Sequence, residues 1–158
     1  LPASPRTTLN VGVIAGGTSI NTIAPDAHLE LDLRSEGSAE LKALVRRVED
    51  LVQAAARPEV EFALELIGQR PAGKLAAGHP LVRLARRCLQ AQGLDPNLTI
   101  GSTDANIPLS RGYPAVTVGL STGFGAHTVH EYINTTPLAQ GLAQVQALVE
   151  GAFAELCR

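Results

Sequence analysis

Two short polar clusters hold the residue types that do chemistry: Gly101-Ser102-Thr103-Asp104-Ala105-Asn106-Ile107-Pro108 and Gly123-Phe124-Gly125-Ala126-His127-Thr128-Val129-His130-Glu131-Tyr132. Each follows an apolar, β-like run, and in open α/β sheets the carboxyl ends of parallel strands are where ligands gather. His127, His130 and Glu131 are metal-ligand types in a glycine-softened loop, where small residues let backbone and side chains close on an ion. If one histidine binds metal, Glu131 can orient it from behind the ligand shell. A lone histidine is more often structural or solvated than a ligand; two histidines and a glutamate at a strand end tilt the balance. A zinc centre still takes three or four protein ligands, and this segment offers one or two. Asp104 can position a loop, accept from a histidine or hold a substrate. It can equally form an Asx-turn or cap a helix, which needs no function.

Two other motifs are weaker. Gly16-Gly17-Thr18-Ser19-Ile20-Asn21 resembles a phosphate loop only superficially, because the lysine of a Walker loop is absent and no helical pattern follows. Two adjacent glycines between strands read as a turn or bulge, with Asn21 and the strand residue Arg34 able to reach a ligand as polar anchors. Arg34 reads equally well as part of a solvated sheet face. Gly119-Leu120-Ser121-Thr122-Gly123 matches G-x-S-x-G, yet Phe124-Gly125 follows rather than a helix, and no histidine occurs after Glu131. A serine nucleophile is therefore discounted.

The elements that must position these residues fall into two halves. Leu9, Val11 and Val13 alternate with polar or small residues, as do Leu29, Leu31 and Leu33 with His28, Glu30, Asp32 and Arg34, so two half-buried strands are expected. Ser38 as N-cap and the stripe Leu41, Leu44, Val45, Val48, Leu51, Val52 predict a helix to Ala56. Pro58 closes it, and Val60, Phe62, Leu64 and Leu66 read as a third strand. The order β-β-α-β is a split βαββαβ unit lacking its first strand and helix. Turn-rich residues between 70 and 78 separate the halves. Pro80 then starts a helix with Leu81, Leu84, Ala85, Cys88 and Leu89 inward and Gly93 at its C-cap. Leu98-Thr99-Ile100 and Ala115-Val116-Thr117-Val118 read as buried strands joined by a parallel crossover. Thr136-Pro137 opens a last helix with Leu138, Leu142, Val145, Val149, Ala152 and Leu156 inward.

Composition narrows the function classes. At 158 residues, 45% hydrophobic and 18% charged, the chain reads as globular. A net charge of -2, with three Phe, two Tyr and no Trp, gives neither the basic stripe nor the aromatic platforms of nucleic-acid binding. No apolar stretch approaches the roughly 20 residues of a membrane span, and no signal peptide is visible. Cys88 and Cys157 read as reduced thiols of a cytoplasmic protein. The absence of Met and the loop-like start Leu1-Pro2-Ala3-Ser4-Pro5 read as a piece of a longer polypeptide.

Asn10-Val11-Gly12-Val13-Ile14-Ala15-Gly16-Gly17-Thr18-Ser19-Ile20-Asn21 with Ile23-Ala24-Pro25, then Leu31-Asp32-Leu33-Arg34, is similar to the dimerisation, or lid, domain of the M20 metallopeptidases and deacylases. Gly101-Ser102-Thr103-Asp104 and His127-Thr128-Val129-His130-Glu131-Tyr132 resemble the C-terminal catalytic segment of that family, the group containing peptidase T, acetylornithine deacetylase and succinyl-diaminopimelate desuccinylase. The resemblance implies an α/β fold: a partial ferredoxin-like α+β lid over residues 6–70, then over 71–158 the C-terminal portion of a three-layer α/β/α zinc-hydrolase domain. It also implies a site with two divalent metals, usually zinc, where a metal-bound water attacks an amide and a glutamate is the general base.

On this resemblance His127 is the last metal ligand, His130 a variable neighbour and Glu131 a supporting residue. Asn21 and Arg34 match lid residues that contact the substrate's carboxylate end, and Ser102 and Thr103 match substrate-side hydroxyls near Asp104. The remaining ligands and the general base match no residue of this chain. The expectation is thus the C-terminal part of a zinc hydrolase of peptides or N-acyl amino acids, homodimeric through its lid, with metal bound weakly or not at all and no activity in isolation. The competing expectation is a non-catalytic dimerisation or binding module of the same descent.

Overall fold

The computed structural model describes residues 1–157, and the chain divides into two compact units, the first Leu1–Gln69 and the second from Arg70 onward. Helices and antiparallel strands occur together, so the mixed α/β class expected from the alternating patterns holds. No described helix is long and apolar enough to cross a membrane.

The first unit is built on an antiparallel hairpin, β1 (Thr7–Gly16) with β2 (Ala27–Ser35). Its connection closes through Gly17 N–H to the Asp26 carbonyl at 3.2 Å. Glycine is needed there: Gly16 and Gly17 have φ of 156° and 76°, and a β-carbon at Gly16 would lie 2.7 Å from Ala27 and from the Asp26 carbonyl. One feature of the pairing departs from simple alternation. Val11 stands opposite Leu31 but Val13 opposite Glu30, so Gly12 is an extra, unpaired residue of a β-bulge. Beyond it Val13 moves to the Glu30–Asp32 side, and Ile14, opposite Leu29, takes its place on the leucine side.

Helix α1 (Ser38–Ala55) packs on β2 and buries Leu44, with Leu41, Val45, Val48 and Val52 of the expected stripe half-buried and Leu51 exposed. Gly37, rather than Ser38, is its N-cap, and no side chain caps it; Ser35 Oγ instead accepts from Gly37 N–H at 3.1 Å and pairs with Thr7 Oγ1 at 2.8 Å. The expected strand Val60–Leu66 forms no ladder. Only an isolated bridge between Arg57 and Val60 is made, and Phe62, Leu64 and Leu66 remain exposed. A strand exists only by its neighbours' hydrogen bonds, and alternation cannot supply the neighbour.

The second unit is organised by α2 (Pro80–Ala91) against α4 (Leu138–Glu155). Leu84, Ala85 and Cys88 of α2 meet Leu148 of α4, flanked by Leu81, Val116, Val118 and Ala152. Both ends of α2 are chemically defined. Pro80 sits at its first position and His79 Nδ1 accepts from Leu81 N–H at 3.2 Å. Gly93, with φ 74°, gives a Schellman ending in which Leu94 N–H reaches the Leu89 carbonyl at 3.1 Å and Gly93 N–H that of Gln90 at 2.9 Å.

The buried face of α4 is Gly141, Gln144 and Leu148, whereas Leu142 and Val149 are exposed, so the expected inward stripe is rotated. Small residues decide this: a β-carbon at Gly141 would overlap the Leu120 carbonyl, and one at Gly151 would lie 2.8 Å from Leu84 Cδ1. The glycines therefore mark the side of closest approach. Pro137, not Thr136, is the N-cap residue. Between the expected strands Leu98–Ile100 and Ala115–Val118 no backbone ladder closes among the described residues; the Thr117 hydroxyl instead lies 3.0 Å from that of Thr103, beyond the first of them. What forms instead is a short helix, α3 (Asn106–Ser110), and a minimal hairpin, β3 (Gly123–Phe124) with β4 (Tyr132–Ile133).

Candidate functional site

The β3–β4 hairpin carries His127, His130 and Glu131 on its connecting loop. Its base is fixed by Asn134 N–H to the Thr122 carbonyl at 2.8 Å and by a short bond from Ser121 Oγ to the Asn134 carbonyl. Ser121 is thus a structural donor at the root of a hairpin, with no helix after it. Within the loop Thr128 is the hub. Its N–H and Oγ1 donate to the Gly125 carbonyl at 3.0 and 2.7 Å, its Oγ1 accepts from His130 N–H at 3.2 Å, and its carbonyl accepts from Glu131 N–H at 3.1 Å.

His127 has left-handed backbone, φ 65°, and its N–H donates to Glu131 Oε2 at 3.0 Å. The support expected from Glu131 therefore reaches the histidine through its peptide and not through its ring. The physical reason is the tight turn: with His127 left-handed, its own N–H faces back into the loop, where the carboxylate four residues on can take it. Both imidazoles are exposed, and no protein hydrogen bond holds either among the described residues.

Ser102, Thr103 and Asp104 lie just before α3. Asn106 organises this cluster, its Oδ1 accepting from Thr103 N–H at 2.8 Å and its Nδ2 donating to the Pro71 carbonyl at 3.1 Å. Thr103 Oγ1 accepts from Ala105 N–H at 3.3 Å, making the turn that Asp104 was a candidate to make. Ala105 is the N-cap of α3, and the Asp104 carboxylate is exposed, 4.0 Å from the Arg70 guanidinium. Ser102 is exposed. No hydrogen bond or ion pair among the described residues joins this cluster to the His127 loop.

In the first unit Asn21 lies on the exposed β1–β2 connection, where Ser19 Oγ bonds its Oδ1 at 2.9 Å and Thr22 Oγ1 at 2.7 Å. Arg34 Nε and one terminal nitrogen both reach Asp32 Oδ2 at 2.6 Å. That hydrogen bond first, and the carboxylate charge second, raise the Arg34 pKa above its ordinary value, against a small desolvation effect. Thr128 and Asn106 organise their loops, although the motifs that contain them gave neither a role in the site. Their signal was present in type and place, a threonine and an asparagine inside turn segments, where such side chains bond nearby backbone.

Among the described residues no three His, Cys, Asp or Glu side chains group around a point that an ion could occupy. What the loop offers is two exposed imidazoles, His127 and His130, whose rings make no protein hydrogen bond among the described residues.

Residues 1–60 match the family model of the peptidase dimerisation domain of the M20 group. The first unit is thus similar to an M20 peptidase dimerisation domain. Two curated relatives extend the likeness into the second unit. The uncharacterized protein YqjE of Bacillus subtilis strain 168 is 29% identical over 155 residues, covering 93% of this chain and 40% of that protein. A LysW-lysine/LysW-ornithine hydrolase of Saccharolobus solfataricus is 25% identical over 140 residues, covering 87% of this chain and 38% of that protein. The chain thus spans about two fifths of the length of the curated relatives it matches.

Proposed function

We propose that this chain supplies the lid and one wall of the catalytic site of an M20-type hydrolase that cleaves an amide bond in a peptide or N-acyl amino acid. The observation that carries the reading is the peptidase dimerisation domain of residues 1–60 continuing, in one chain, into a unit that presents His127 on a hairpin loop. The hydrolase named among its relatives supports the same class. In such a site divalent metal, zinc in this reading, supplies an acidified water and polarises the scissile carbonyl.

This chain's residues do the rest of what is assigned here. His127 would hold the metal through a ring nitrogen, with His130 as its less favoured neighbour and Glu131 behind it. Arg34, with Asn21, receives the negatively charged end of the substrate, because a guanidinium presents paired N–H donors to a carboxylate. Ser102, Thr103 and Asp104 line the substrate side. The other metal ligands and the general base come from sequence beyond these 158 residues. Two copies pair through the first unit, in keeping with its dimerisation family. Both cysteines are free thiols, which suits a cytoplasmic protein.

The test is hydrolysis of a panel of dipeptides and N-acetyl amino acids by the polypeptide that carries this chain in its natural setting, with and without chelator. Zinc-dependent cleavage lost in His127→Ala, by at least about 100-fold, is expected. Cleavage that persists unchanged in that variant would remove His127 from the site. The 158-residue chain alone is expected to show no cleavage; zinc-dependent turnover by it would overturn the division of ligands.

A further inference from the structure

Among the described residues His127 is the one non-glycine residue with positive φ, at 65°. Left-handed backbone costs a residue bearing a β-carbon on the order of 1 kcal/mol or more. Gly125, two positions earlier, has φ 70° and meets no such cost. The loop therefore has two left-handed residues and places the strained one under an imidazole.

Thr128 N–H and Oγ1 donate to the Gly125 carbonyl, so residues 125–128 form a β-turn with His127 at its third position, and Glu131 N–H donates to the Thr128 carbonyl. The turn itself asks for left-handed backbone at residue 127, at a cost to any residue that carries a β-carbon. Among the described residues Glu131 Oε2 is what takes the His127 N–H, at 3.0 Å, and it adds its hold to that of the turn bond. A bond to a charged acceptor is the stronger kind, which matters in a loop where water competes for every donor. We propose that Glu131 is a positioning residue that acts on His127 through the backbone, its carboxylate holding the left-handed turn and so setting the direction in which the imidazole leaves the loop.

The choice of atom has a chemical consequence. A carboxylate bonded to the ring would commit one nitrogen and select a tautomer. One bonded to the peptide fixes the side chain's point of departure and leaves both ring nitrogens available. The proposal rests on the reading of His127 as a metal ligand for its purpose, but its geometry can be tested without metal.

The experiment is NMR on the 158-residue chain and two variants, Glu131→Ala and Glu131→Gln. A strong intraresidue amide-to-Hα NOE at His127 reports left-handed backbone, and the cross-strand NOEs between Phe124 and Tyr132 report the hairpin. Loss of the His127 signature in Glu131→Ala and its retention in Glu131→Gln, which keeps an oxygen acceptor, is the expected result. An unchanged signature in Glu131→Ala, or equal loss in both variants, would overturn the proposal. If Glu131→Ala loses the hairpin altogether, adding His127→Gly should restore the Phe124–Tyr132 NOEs, since glycine needs no clamp; failure to restore them also counts against it. Zinc chloride titrated into the same samples, followed at the His127 ring, reports on the ligand reading separately. A ring that never shifts removes that reading while the clamp stands. Zinc binding that weakens about tenfold in Glu131→Ala and recovers in Glu131→Gln supports both.

Discussion

Gln144 is the most deeply buried large side chain described, 1% exposed, and its Nε2 has no hydrogen-bond partner. A buried donor left unpaired costs about 1–3 kcal/mol. Gln144→Leu is therefore expected to stabilise the second unit by about 1–2 kcal/mol, seen as a higher urea midpoint at unchanged slope. A lower midpoint would show that the amide is satisfied. Gly141, three residues earlier on the same face, acts in the opposite sense. With the Leu120 carbonyl where a β-carbon would stand, Gly141→Ala should destabilise by about 1–3 kcal/mol in the same urea series, or force the root of the β3–β4 hairpin to move. Neither role was readable from residue type, which puts a glutamine outside and gives a mid-helix glycine no particular side. Turn bonding was readable where it is local, as in Thr103 N–H to Asn106 over three residues and His127 N–H to Glu131 over four, whereas the Asn106 bond to Pro71, 35 residues away, was not.

The elements divide by the same criterion. Helix α2 was legible to its ends because Pro80, the apolar stripe and Gly93 each act within a turn or two of themselves. Gly93→Ala should cost about 1 kcal/mol, since the left-handed Schellman position penalises any β-carbon while nothing within 4 Å would clash with it. Calorimetry on that variant checks it; no loss would mean the helix end rearranges freely. Strands were legible only where the chain itself brings the partner. β1 and β2 find each other across one connection, although the Gly12 bulge that exchanges Val13 for Ile14 was invisible in the alternation. Val60–Leu66, Leu98–Ile100 and Ala115–Val118 have strand-like composition and no completed ladder. On α4, apolar residues ring the helix, so periodicity could not say which side turns inward. Leu142, Val149 and Phe153 remain exposed as a second apolar stripe.

At the scale of the whole molecule, exposed apolar side chains outnumber buried ones, and the accessible surface is 12546 Å² for 16.5 kDa. Two separate compact bodies of half that mass would together expose about 9,100 Å². The excess belongs to faces such as Leu9, Val11, Ile14 and Leu29 on the hairpin and the outer stripe of α4. The proposed pairing of two copies through the first unit would cover part of it, and sedimentation velocity across a concentration series should then show the chain self-associating; a single slow species at all concentrations would contradict the dimerisation reading. That surplus of surface also fixes how the chain should respond to heat. The heat-capacity increment of unfolding scales with newly hydrated apolar area, and much of that area is already wet. Dilute chain should unfold with an increment about two-thirds of that usual for its length, and the value per chain should climb with concentration as association dries the exposed faces.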